Sequence, residues 1–191
     1  MTATLQAGFA DPVHDSQGCF RDLLDAMAHP GRIARIGGVA PPAPLDIATA
    51  AAMLTLVDHE TKLWLDPAAS AARDWIGFHC GPAMIQDPAI CAFALALSPP
   101  DLASFCLGTH EEPETATTVV CQVLGFDSGP EFRLSGPGLR EPVELRIDGL
   151  GKNFAAAWRA NRALFPRGID LILCAGDRLT ALPRSVSIQE L

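Results

Sequence analysis

The strand–turn–strand unit that decides the fold is residues 169–182, whose sequence is IDLILCAGDRLTAL. Apart from Asp170, its first seven residues are apolar, and such a run is typical of a strand that is buried on both faces of a sheet. Gly176 and Asp177 then interrupt the run, and Gly-Asp between two apolar stretches indicates a hairpin turn. We therefore predict a buried strand over residues 169–175 and a returning strand over residues 178–182.

Other stretches predict further strands. Residues 90–97 are uninterruptedly apolar, residues 115–126 are rich in β-branched side chains, and residues 62–65 are a shorter candidate. Residues 131–134 and 143–147 alternate polar and apolar side chains, so we expect two strands that each have one face more exposed to solvent. A tight turn at Gly136-Pro137-Gly138 is expected to join these two strands.

Helices are predicted over residues 17–28, 45–58, 68–78 and 153–164, mainly in the first third of the chain. The first should begin at an N-cap, Asp15 or Ser16, and end at Pro30, and its periodic apolar residues are Phe20, Leu23, Leu24 and Met27. The sequence thus predicts an α/β fold, a single-domain mixed β-sheet flanked by helices. We expect one domain over residues 1–191, with an ordered core over about residues 10–188.

Composition limits the function classes. The chain has 191 residues, of which 49% are hydrophobic and 19% charged, so it is globular, and its apolar character favours burial against a partner. A formal net charge of −8 argues against a nucleic-acid partner, because neutralising phosphates needs clustered Lys and Arg. No apolar run approaches the roughly 20 residues of a membrane span, and residues 1–11 lack a signal-peptide pattern, so we expect a cytoplasmic protein without membrane contact.

The residue pattern offers no evident catalytic constellation. The six cysteines include no C-x-x-C pair and mostly lie in apolar runs, which favours reduced structural thiols. The five histidines are widely spread, no G-x-S-x-G elbow is present, and Asp58-His59-Glu60 is interpreted as a solvated helix end. Neither Lys62 nor Lys152 is a compelling imine-forming lysine for pyridoxal phosphate. We predict no catalytic residue, no metal site and no cofactor.

Two places could bind an anion. Gly149-Leu150-Gly151-Lys152 opens a predicted helix but lacks the complete spacing of a phosphate-binding loop, so a plain strand-to-helix turn is favoured. Arg184 follows the final predicted strand, where it could bind a carboxylate, a phosphate or the carbonyl groups of a partner. It could equally be a surface arginine that closes a salt bridge. Spacing alone leaves these alternatives open.

Several strings occur together in an order that resembles the PhnH family, a subunit family of bacterial carbon–phosphorus lyase, over roughly residues 10–188. They are Phe20-x-x-Leu23-Leu24-x-Ala26-Met27 with Pro30-Gly31; Ile47-Ala48-Thr49; Leu54-Thr55-Leu56-x-Asp58; Trp64-Leu65; Phe78-His79; Gly108-Thr109; Pro113-Glu114; Ala116-Thr117; Arg133-Leu134-x-Gly136-Pro137-Gly138; Phe165-Pro166-x-Gly168-Ile169-Asp170-Leu171-Ile172-Leu173; and Leu182-Pro183-Arg184. The family commonly has threonine after this arginine, where the chain has Ser185.

The resemblance implies a fold similar to the large domain of pyridoxal phosphate-dependent transferases without the cofactor site. It implies partners of the PhnG, PhnI and PhnJ types, and a homodimer when the chain is isolated. PhnI, with an ATPase-like partner, is linked to joining methylphosphonate to the ribose triphosphate of ATP, and PhnJ is the radical subunit that later cleaves the carbon–phosphorus bond.

Three functional hypotheses follow. The leading one is a non-catalytic or assembly subunit of the carbon–phosphorus lyase complex in phosphonate catabolism, at the step that makes ribose 1-methylphosphonate 5-triphosphate. The alternative is a small phosphonate- or nucleotide-phosphate-binding enzyme whose anion site uses Gly136, Gly138, Lys152 and Arg184. A third, a homodimer with a regulatory role, is the weakest.

Overall fold

The fold is built on a seven-stranded mixed sheet, seen in a computed structural model that describes residues 6–191. Its strands are β1 (Ala34–Arg35), β2 (Lys62–Leu65), β3 (Ala83–Ile85), β4 (Phe93–Ala96), β5 (Thr118–Gln122), β8 (Asp170–Ala175) and β9 (Arg178–Leu182). A second, three-stranded sheet contains β6 (Glu131–Ser135), β7 (Val143–Arg146) and β10 (Ser187–Glu190). The α-helices are α1 (Pro12–Ala28), α2 (Ile47–Leu56), α3 (Arg73–His79) and α4 (Phe154–Arg162).

The large sheet has a parallel centre and an antiparallel edge. Its strand order is β1-β9-β8-β5-β4-β2-β3, and the five strands from β8 to β3 are parallel to one another. The predicted hairpin at residues 176–177 is confirmed: β8 and β9 pair antiparallel, with Ala175 opposite Arg178. β1 then adds an antiparallel strand beyond β9.

The apolar runs of the central strands exist because both faces of the large sheet are covered. Along β8, Ile172 and Cys174 belong to one hydrophobic cluster, whereas Leu171 and Leu173 belong to a second cluster on the opposite face. Successive side chains of a strand point to opposite faces, so an unbroken apolar run fills two cores at once. The prediction of a mixed sheet flanked by helices is confirmed.

The first face is covered by α1, α2 and α3. α2 is fastened to the sheet by Gln122 at the end of β5, whose side-chain oxygen accepts hydrogen bonds from the Asp46 backbone and the Thr49 hydroxyl, both at 2.9 Å. The Asp46 carboxylate in turn accepts the Gly176 N–H at 2.8 Å. α1 is the longest helix at 17 residues, and no helix within residues 6–191 combines the length and apolarity needed to cross a membrane.

The second face is covered by the small sheet and α4, which bury Phe154 and Trp158 in the second cluster. The Trp158 indole donates to the Val186 carbonyl at 2.9 Å. Asn161 is buried and pairs with both backbone groups of Ile169, at 3.0 and 2.9 Å. These bonds hold α4 against the residues that directly precede β8 and β10.

Several predicted boundaries were wrong for local reasons. α1 begins at Pro12 with Asp11 as its N-cap, not Asp15 or Ser16, because the Asp11 side chain accepts the His14 N–H and proline suits the first helical turn. The helix predicted over 68–78 is a 3-10 helix, Pro67–Ala72, followed by α3. The strand predicted over 90–97 starts only at Phe93, since a 3-10 turn capped by Asp87 occupies Pro88–Ile90.

The strand predicted over 115–126 is likewise shorter, because a 3-10 turn occupies Pro113–Thr115 and β5 starts at Thr118. The predicted pair of strands over 131–147 is confirmed as β6 and β7, but residues 136–142 form a longer connection than the expected tight turn. β1, β3 and β10 were not predicted, and each is four residues or fewer.

Candidate functional site

Arg184 lies between β9 and β10 and forms a largely buried ion pair with Asp170 of β8. Both side chains are 14% exposed, and the guanidinium Nε lies 3.1 Å from each oxygen of the carboxylate. Asp170 also accepts the Arg184 backbone N–H at 2.7 Å, and the arginine Nη1 donates to the Pro113 carbonyl at 2.7 Å. Of the alternatives that the sequence left open, the structure shows the ion pair, which is largely buried and not at the surface. It joins β8, the segment after β9 and the segment around Pro113.

Gly136 and Gly138 lie in the connection between β6 and β7, where the chain passes close to other backbone. A Cβ at Gly138, whose φ is +85°, would lie 2.3 Å from the Ala28 carbonyl oxygen at the end of α1. A Cβ at Gly136, whose φ is +131°, would lie 3.3 Å from the Ser185 carbonyl oxygen. Both glycines therefore permit tight packing of this connection.

Lys152 lies elsewhere, just before α4, and lines a groove between that helix and the small sheet. None of Gly136, Gly138 and Arg184 lines this groove, and Gly138 borders a separate depression beside Pro30. The structure therefore does not bring the four predicted anion-site residues into one cavity.

The groove itself is strongly basic. It has a volume of about 850 Å³ and is lined by four basic side chains, Arg133, Lys152, Arg159 and Arg162. Arg133 is paired with Glu144, 2.8 Å away, whereas none of the other three has a carboxylate within 4.0 Å among residues 6–191. The Arg162 Nε donates to the Ser185 carbonyl at 3.3 Å. We call this feature the α4 groove.

Sequence reasoning missed three of these four basic residues. Arg159 and Arg162 are three residues apart and so share a helix face, a signal that the sequence does contain. Arg133 joins them only because β10 pairs with β6 and packs beside α4. That adjacency depends on β10, which the sequence pattern did not reveal.

The acidic cluster at residues 58–60 is a turn, not the end of a helix, because α2 ends at Leu56. The Asp58 carboxylate accepts the Thr61 hydroxyl at 2.9 Å and the Glu60 N–H at 3.0 Å, and the bond from Thr61 contributes most to lowering the pKa of Asp58. Within residues 6–191 no group of three or more His, Cys, Asp or Glu side chains is placed to hold a metal ion.

All six cysteines are free thiols, as predicted, and four of them are buried. Burial raises the pKa of Cys80 to about 11 and that of Cys121 to about 12, and it raises the pKa of Cys174 as well. A thiol nucleophile reacts as the thiolate, so these groups are inert packing residues at neutral pH.

α1 has two apolar faces. Leu23 and Ala26 are buried against the large sheet, but Val13, Phe20 and Leu24 are 62%, 45% and 53% exposed. These three lie at positions i, i+7 and i+11, which is one stripe of a helix. We call them the α1 stripe, and they show that the periodic residues Phe20 and Leu24 do not belong to the interior.

A family model and two known proteins each match most of the chain. A family model described as "Bacterial phosphonate metabolism protein (PhnH)" matches residues 7–189. A protein of Rhizobium meliloti (strain 1021), named alpha-D-ribose 1-methylphosphonate 5-triphosphate synthase subunit PhnH, is 41% identical over 198 residues, which cover 99% of each chain. A Stutzerimonas stutzeri protein named putative C-P lyase subunit protein HtxG is 32% identical over 178 residues, covering 90% of this chain and 85% of its own.

Proposed function

Since the chain belongs to the PhnH family of bacterial phosphonate metabolism proteins, we propose that it is an assembly subunit of a carbon–phosphorus lyase complex without a catalytic centre of its own. The observation that carries this proposal is the 41% identity, over 99% of both chains, to a protein that is named as a subunit of a synthase. That protein's name also gives the step, the synthesis of ribose 1-methylphosphonate 5-triphosphate in phosphonate catabolism.

The polar interior supports a structural role. Its hydrogen-bonding side chains fasten one element to another, as Gln122 does for α2, Asn161 for α4 and the Asp170–Arg184 pair for the chain's last segments. Polar groups used in this way have few donors or acceptors left for a substrate.

The α1 stripe supports docking to another subunit. Exposed apolar side chains on a single helix face mark an interaction surface, and permanent subunit interfaces are the more hydrophobic kind. We propose that the stripe packs against an apolar surface of a partner subunit of the PhnG, PhnI or PhnJ type. The isolated chain would cover the same stripe by forming a homodimer, which light scattering of the purified protein tests.

The remaining features of the proposal are architectural. We propose that residues 1–191 form one domain whose fold is similar to the large domain of pyridoxal phosphate-dependent transferases, and that the complex works in the cytoplasm. The parallel centre of the large sheet, with helices on both faces, is compatible with that likeness.

Co-purification from phosphate-starved cells tests the assignment. Tagged wild-type chain should recruit the other subunits, and the double variant Phe20→Ser/Leu24→Ser should lose them while remaining folded by circular dichroism. Leu124→Ser is the matched control, because Leu124 is 80% exposed and lies outside α1. Failure of the wild-type chain to recruit any subunit would contradict the subunit assignment. Equal loss with Leu124→Ser would contradict the α1 stripe as the docking surface.

A further inference from the structure

We propose that the α4 groove binds a small-molecule anion that carries several negative charges, of the kind found in an oligophosphate group. The groove lies between α4 and the small sheet, away from α1 on the opposite face of the large sheet. The site shares only Lys152 with the anion-binding residues that the sequence indicated.

Charge is the first argument. The chain has a formal net charge of −8, yet four basic side chains and a single acidic one, Glu190, line this groove. Lys152, Arg159 and Arg162 have no carboxylate within 4.0 Å among the described residues, although six other arginines of the chain do. Unpaired cations that share one concave surface attract an anion, and a multiply charged anion can contact several of them at once.

Shape is the second argument. The volume of about 850 Å³ lies within the roughly 300–1,000 Å³ that is typical of small-molecule sites. The helix side of the groove is lined by small residues, Ala155, Ala156 and Ala163, which leave space between the cationic side chains. Ser187 and Gln189 of β10 line the opposite side and supply further hydrogen-bond donors.

The cations are held by a rigid support. Buried Trp158 and Asn161 anchor the other face of α4 through their bonds to Val186 and to Ile169. The bond from Arg162 to the Ser185 carbonyl fixes one guanidinium at the groove. A site whose donors are already ordered loses less entropy when a ligand binds.

Calorimetric titration of the full-length chain with inorganic triphosphate at low ionic strength tests the proposal. We expect saturable binding that is tighter than that of orthophosphate and weakens as sodium chloride is added. Arg159→Gln should weaken triphosphate binding about tenfold, since it removes one charge-assisted hydrogen bond. Glu190→Gln should strengthen binding, because it removes the groove's negative charge.

The matched control is Arg21→Gln, an exposed arginine on α1 outside the groove, which should bind triphosphate like the wild type. No saturable binding to the wild-type chain, or equal weakening by Arg21→Gln, would overturn the proposal. Loss of subunit recruitment by Arg159→Gln without any triphosphate binding would also overturn it and identify the groove as a protein interface. Because the α1 stripe and the groove are changed by different variants, this test and the test of the subunit assignment can fail separately.

Discussion

At the scale of single residues, the role of Arg184 shows what a sequence cannot supply. Its partner Asp170 is 14 residues away, and the two meet because β8 and β9 pair antiparallel, with Leu171 opposite Leu182. The sequence predicted the hairpin and placed Arg184 immediately after it. Which group the arginine would meet depended on strand register, and register is set by packing across the complete sheet.

Arg184→Gln should lower the free energy of unfolding by about 3 kcal/mol, because it leaves the largely buried Asp170 carboxylate without its cation. Arg35→Gln provides the control, since its pair with Asp177 has side chains that are 73% and 44% exposed, and exposed pairs contribute at most about 1 kcal/mol. Urea unfolding of both variants measures the difference. Equal stability of the two variants would contradict a stabilising role for the buried pair.

The buried thiols predict a loss of stability at alkaline pH. Burial raises the pKa of Cys121 to about 12 from an ordinary value of 9.0, so above pH 9 the unfolded chain ionises this thiol while the folded chain keeps it protonated. The unfolded state then binds fewer protons, and ionisation of the Cys121 thiol lowers the free energy of unfolding by about 1.4 kcal/mol between pH 8 and pH 10. The chain has no tyrosine and two lysines, so few other groups titrate in this window.

Urea unfolding at pH 8 and pH 10 measures this loss. In Cys121→Ala, the difference between the two pH values should be smaller by about 1.4 kcal/mol than in the wild type, whatever the variant's stability at pH 8. His14→Ala is the control, because it changes an exposed side chain on α1 and leaves every thiol in place. An unchanged pH difference in Cys121→Ala would show that its thiol ionises equally well in the folded chain.

At the scale of secondary structure, the elements that the sequence predicted are those that fill a core. β8, β9 and β2 were found because their apolar residues are continuous or bounded by clear turns. β10 was missed because two of its four residues are exposed polar side chains and its pairing partner is β6, more than 50 residues earlier. The α4 groove could not be predicted for the same reason, since one of its walls is β10.

The docking of the β6–β7 connection on α1 gives a prediction at this scale. Gly138→Ala should destabilise the fold by about 1 kcal/mol through its positive φ and by about 1–3 kcal/mol more through collision with the Ala28 carbonyl. Gly151→Ala isolates the first effect, since its φ is +74° and a Cβ there would meet no atom within 4 Å. Thermal unfolding of the two variants should therefore separate them clearly. If they were equally stable, the contact between this connection and α1 would not matter for folding.

At the scale of the whole molecule, the two hydrophobic clusters share one sheet. Alternate residues of β4, β5 and β8 belong to opposite clusters. If these strands separated, both clusters would therefore be exposed to solvent together. This sharing is the physical basis for proposing a single domain, and small single domains usually unfold in one cooperative transition. The sequence predicted β4 and β8 from their apolar runs and β5 from its β-branched residues, but it did not indicate how the helices would divide between the two faces.

The three tryptophans allow that cooperativity to be measured. Trp75 is buried in the first cluster, Trp158 in the second, and Trp64 packs against the second. Trp64→Phe/Trp158→Phe leaves fluorescence from the first cluster alone, and Trp64→Phe/Trp75→Phe leaves it from the second. Within each variant, the urea midpoint from fluorescence should coincide with the midpoint from far-ultraviolet circular dichroism, because loss of either cluster exposes the common sheet. A retained tryptophan whose transition precedes the loss of secondary structure would show that the two faces unfold as separate units.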